Sequence, residues 1–149
     1  MEIQQTGYLK PLQIIFGAML MGQILVSLIF YSFLDQPKFE ESDDILTTVL
    51  PLIMLSATVL GYVLFNMRRK VWAEEPNLDT KKGLYRSASL TKWAMFEGAT
   101  LLAVIGYFFM AVDVLLLPLV ISLAHFALHF PSRERVSKDL EIDNIDASV

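Results

Sequence analysis

No cysteine occurs in the 149 residues. That removes thiolate catalysis, cysteine-linked haem and Fe–S or Cys-rich zinc sites. Charge is also scarce, at 19% of the chain against about 25% in ordinary soluble proteins. The balance of 12 basic and 16 acidic residues leaves a net charge of −4, so the basic excess of a nucleic-acid-binding domain is missing. There are two histidines and no HExxH pattern. The first apolar run ends in Ile29-Phe30-Tyr31-Ser32-Phe33, without the small-x-small site of a cleaved leader, so the first span is expected to be retained.

What is present is apolar: 54% of the residues, with a mean hydropathy of +0.50. Residues 12–33 and 45–67 contain no Asp, Glu, Lys or Arg. Residues 93–112 contain one acid, Glu97, and 114–130 contain none. About 20 apolar residues at about 1.5 Å rise cross a hydrocarbon core of about 30 Å. The expectation is an all-α integral membrane four-helix bundle in one domain, 1–149. Its spans lie near 12–33, 45–67, 90–111 and 113–130, with a loop at 68–89 and a tail at 131–149.

Charge sorts by loop. Lys10, the seven bases between Arg68 and Lys92, and Arg133, Arg135 and Lys138 fall on one side; Lys38 alone falls on the other, among the five acids of residues 35–44. The positive-inside rule then places both termini and the central loop in the cytoplasm, as expected of a multi-pass protein of the bacterial inner membrane.

Punctuation within the links is sparse. Asp79 or Thr80 is expected to cap a helical extension into span three, and Asp113 to cap span four. After Pro131, Ser132 is placed to cap a short polar helix carrying Val136 and Leu140, and the acidic end from Glu141 reads as frayed. Trp72, Tyr85 and Trp93 on one side, and Tyr31, Tyr107 and Phe108 on the other, are candidates for interfacial belts.

An internal repeat runs through the chain. Residues 18–33 (AMLMGQILVSLIFYSF) and 94–109 (AMFEGATLLAVIGYFF) share Ala-Met, Gly, Leu, Ile, Tyr and Phe in order. The second helices then align on Pro51 with Pro118 and on Ala57 with Ala124. Two tandem-duplicated helical hairpins would give this pattern, as parallel repeats about the membrane normal. Small residues four apart recur at Ala18/Gly22, Ala57/Gly61 and Ala94/Gly98, a spacing that lets helix backbones approach within a chain or between chains.

Glu97 is the main candidate for chemistry. It lies about 10 Å into its helix from residue 90, seven residues at about 1.5 Å each, where a carboxylate costs on the order of 2.5–3.5 kcal/mol. Its repeat counterpart is Met21. An antiparallel fourth span puts His125 at the same depth, with His129 one turn nearer the cytoplasm. Lys92 stands five residues before Glu97 at the membrane edge. These residues make either a proton or ligand site or a structural interhelical hydrogen bond. Gln23, in mid-span with Ser27 one turn on, is expected to hydrogen-bond across helices. His125 and His129 lack an evident set of further ligands, so neither a metal nor a cofactor is expected.

Two stretches, Lys92-Trp93-Ala94-Met95-Phe96-Glu97-Gly98-Ala99 and Pro131-Ser132-Arg133-Glu134-Arg135, resemble a family of small, uncharacterised four-helix bacterial membrane proteins. Those carry a basic-x-Ala-x-x-Glu-Gly motif and a Pro-Ser/Thr-basic tail, and the resemblance implies a fold without an activity. Glu97-Gly98-Ala99 before an apolar run is also similar to the carboxylate helix of rotary ATPase proteolipids. The GxGxGxG helix of that family is absent here, and Glu97 lies nearer the cytoplasmic edge than theirs. With no nucleophile–base pair or metal motif, the expected function is non-enzymatic. It is helix association in the lipid bilayer, as a homo-oligomer or with a membrane-protein partner. The alternative is a small transporter, channel or proton-coupled component using Glu97.

Overall fold

Helix dominates because long aliphatic and aromatic runs carry few breakers, and each helix satisfies its own backbone groups. The computed structural model describes residues 7–33, 45–110 and 116–142. Among them are five helices and no strand: α1 (Leu9–Ser32), α2 (Ile45–Ala73), α3 (Leu78–Met110), α4 (Leu116–Ala127) and α5 (Arg133–Leu140). The fold is therefore all-α. By length and composition α1 and α2 are apolar enough to cross a membrane, and α4 is a shorter apolar helix. Lys38, Asp113 and the acidic end beyond Ile142 lie outside the described residues.

The segment 68–89, expected to be a loop, is helical apart from 74–77. Counting charges marks where a span ends, but it does not mark where a helix ends. Buried Tyr85, Ala88, Ser89, Lys92, Trp93 and Phe96 form an uninterrupted stripe at helical spacing, with the bases turned outward around it. The cap is also earlier than the expected Asp79 or Thr80: Asn77 Oδ1 accepts from the Thr80 N–H at 3.0 Å. Ser132 caps α5 as expected, accepting from the Arg135 N–H at 3.3 Å. At its other end Glu141 takes the left-handed conformation at φ 57°, and the Ile142 N–H closes the helix on the Ser137 carbonyl at 3.1 Å.

α3 is the hub. α2 packs on it most extensively, and α1, α4 and α5 pack on it as well, with α1 also meeting α4. The two hairpins are therefore not packed alike, since α3 meets α4 while α1 lies against α3 and α4 rather than against α2. Gly61 explains the closeness of α2 to α3. A Cβ there would stand 3.1 Å from Met95 Cβ and 3.2 Å from Phe96 Cε1, whereas Gly22 and Gly98 face open space.

Two cores result. One gathers Met54, Ala99, Ala103, Val104 and Leu119. The other, at the end of the α2–α3 turn, gathers Leu12, Phe16, Phe65, Trp72, Tyr85, Trp93, Phe126, Val136 and Leu140. Trp72, Tyr85, Trp93 and Tyr107 are thus buried within the protein rather than standing in a belt, because long helices and the docked α5 cover them. Tyr31 does face outward. Polar ties close this end: Tyr8 Oη donates to the Lys82 carbonyl at 2.7 Å, Gln13 Nε2 to the Pro131 carbonyl at 3.2 Å, and Trp72 Nε1 to the Asp139 carbonyl at 3.3 Å.

Candidate functional site

The close approach at Gly61 carries the next residue, Tyr62, over the ring of Phe96 and across to α4. There Tyr62 Oη meets His125 Nε2 at 3.2 Å and His129 Nε2 at 2.5 Å. α4 ends at Ala127, and its last turn holds His129 by an N–H to the Phe126 carbonyl at 2.9 Å. His129 Nδ1 lies 2.8 Å from the His125 carbonyl. A carbonyl only accepts, so Nδ1 carries the proton, and in the neutral ring Nε2 presents its lone pair. Tyr62 must then donate to His129, and His125 Nε2–H must donate to Tyr62. The result is a directed hydrogen-bond chain, His125 to Tyr62 to His129. Phe96 closes it from α3, with ring centroids 5.0 Å from His125 and 5.2 Å from His129.

The sequence reading placed these histidines at the right depth but opposite the wrong residue. Phe96 faces them, and Glu97, about 100° further round α3, does not. Glu97 is half-buried and makes no hydrogen bond or ion pair among the described residues. It shares an outward face with the exposed Ala94 and Gly98, and its repeat counterpart Met21 is likewise exposed. Lys92 is buried with its Nζ 3.9 Å over the Phe65 ring, so its charge is taken up by a π face instead of reaching Glu97. Gln23 is buried, and among the described residues neither of its side-chain polar atoms has a hydrogen-bond partner. Ser27 donates to its backbone carbonyl instead, at 2.7 Å. Among the described residues no third metal-ligand type joins the two histidines.

Tyr62 is the residue that sequence reasoning missed, although a signal for it existed. The offset that aligns Pro51 with Pro118 and Ala57 with Ala124 carries Tyr62 onto His129. The two prolines also line one structure, a cleft of about 470 Å³ between α2 and α4. Its walls are apolar, among them Met54, Val59 and Ile121, and Tyr62 and His125 stand at one end. Thr58 lines it too, but its hydroxyl is engaged with the Met54 carbonyl at 3.0 Å.

Comparison with protein-family models, with curated proteins and with solved structures gives no match.

Proposed function

We propose that this chain is a four-span protein of the bacterial inner membrane that works by helix association through the open face of α3. The outer surface supports the membrane placement. Leu25 and Leu28 on α1, Leu52, Leu55 and Leu60 on α2, and Leu117 and Val120 on α4 all face outward. In the most apolar windows of α1 and α2 only 11% and 17% of residues are buried. Apolar faces of that extent suit lipid and are rare on water-soluble monomers. Residues 90–111 and 113–130 supply the other two spans, and the sorting of bases puts both termini in the cytoplasm.

Glu97 carries the association. A half-exposed carboxylate without a partner among the described residues is costly in lipid, and a polar group on a neighbouring helix would relieve that cost. Ala94 and Gly98 beside it allow the close approach that such a contact needs. The neighbour is a second copy or another small membrane protein. A proton-coupled transporter is less well supported, since a relay from Glu97 to His125 would have to pass Phe96.

Cross-linking tests this directly, because the chain has no cysteine. Ala94→Cys should form a self-cross-link in membranes if the neighbour is a second copy, or trap a stoichiometric partner if it is not. Gly98→Leu should abolish either product, whereas Glu97→Gln, which keeps hydrogen bonding, should preserve it. Absence of both products sinks the reading.

A further inference from the structure

The cleft between α2 and α4 is dressed differently at its two ends. From Pro51 to Tyr62 its α2 wall runs 11 residues, or about 16 Å, close to half of a hydrocarbon core of about 30 Å. α2 and α4 run in the same direction, so Pro51 and Pro118 mark one end of the cleft, and Tyr62 and His125 the end toward the α2–α3 turn. A volume of about 470 Å³ lies within the range that holds a small ligand.

Among the described residues positive charge collects at the polar end. Arg135 Nη1 donates to the Leu128 carbonyl at 2.6 Å and to the Phe130 carbonyl at 3.4 Å. Among the described residues no carboxylate takes up its other guanidinium N–H groups at the exposed rim beside His129. Lys92 lies one turn before Phe96 on α3, so a second cation stands behind the two histidines. Among the described residues no carboxylate lines the cleft. A groove about 16 Å long, apolar along its walls and cationic at its rim, is complementary to an amphiphile with a negative head.

We propose that this cleft seats one acyl chain of an anionic phospholipid from the leaflet facing the α2–α3 turn, with its phosphate at the Tyr62–His125 end and against Arg135. The site rests on the membrane placement above and is independent of the Glu97 face.

The test is native mass spectrometry of the full chain, released from detergent after incubation with dipalmitoyl phosphatidylglycerol or with phosphatidylcholine of the same chains. Retention in the membrane after alkaline carbonate is scored first, and its failure overturns both the membrane placement and this site. Given retention, one phosphatidylglycerol per chain is expected, favoured about tenfold or more over phosphatidylcholine. Arg135→Gln, on an exposed side chain, should reduce that preference by about fivefold. Ser122→Phe, which fills the cleft, should lower retention of both lipids. Equal retention of the two lipids, a preference untouched by Arg135→Gln, or stronger retention of a neutral quinone would each overturn the proposal.

Discussion

Tyr62 Oη lies 2.5 Å from Nε2 of His129, the residue that the internal repeat aligns with it. This contact bridges two helices that otherwise leave a cleft between them, so its removal separates side-chain bridging from backbone packing. Tyr62→Phe keeps the ring and loses both hydrogen bonds. It should cost about 1–2 kcal/mol in all, read as a lower thermal midpoint in detergent. His129→Phe should lose a similar amount, and the double variant should lose less than the sum of the two.

Gly61 and Gly83 make a matched pair, one crowded and one open. A side chain at Gly61 meets Met95 and Phe96, whereas nothing lies within 4 Å of a Cβ at Gly83. Gly61→Val should destabilise by about 1–3 kcal/mol through overpacking. Gly83→Ala should stabilise by up to about 1 kcal/mol through helix propensity. Thermal unfolding of both variants checks the contrast, and equal effects would contradict the geometry.

Tyr85 gives the fold an alkaline limit. Burial pushes its hydroxyl up from the ordinary value near 10, and the Asp139 carboxylate adds to that. A proton held more tightly in the folded state adds stability below the unfolded value, which is lost as pH rises toward the folded one. Stability should therefore fall above about pH 10, with the Tyr85 hydroxyl ionising only on unfolding. Tyr85→Phe should show a shallower alkaline decline, while Tyr8, also raised by burial, keeps part of it.

The docking of α5 rests on Val136 and Leu140, both fully buried. Leu140→Ala should cost about 2–5 kcal/mol and expose the tail to limited proteolysis before the rest of the chain. Ser132→Ala, which removes the cap, should cost about 1 kcal/mol. A protease-resistant tail in Leu140→Ala would count against the observed packing.

Orientation is checked with an impermeant maleimide. A single cysteine at Lys38 should label in intact cells, and one at Asn77 should not. The reverse pattern would invert the topology and leave the helix packing unaffected.

Much of this was legible in the sequence. Charge-free runs marked the apolar parts of the first four helices, Ser132 marked the start of α5, and the depth of His125 relative to residues 96–97 followed from antiparallel geometry. Rotation about a helix axis was harder to read. A step of one residue turns the helix by about 100°, enough to replace Glu97 with Phe96 at the site. Belts and buried aromatics also draw on the same residue types, so Trp72 and Trp93 carried no mark of their inward direction. Tyr62 stayed hidden because a tyrosine among aliphatic neighbours also suits an interface. Only the repeat offset, applied to α2, would have singled it out.

The hub position of α3 has a consequence for how the chain is made. α1 and α2 leave the ribosome first, yet the surface against which each of them packs belongs to a helix not yet synthesised. Through that interval they would reside in the bilayer as independent spans, held by lipid rather than by each other. Emergence of α3 converts two unattached helices into one body, and α4 and α5 then complete it. A nascent chain stopped after residue 73 should therefore be inserted and yet remain unassembled, and a separately produced fragment beginning at Leu78 supplies the missing surface. Quality control of this protein during synthesis would fall on that waiting period.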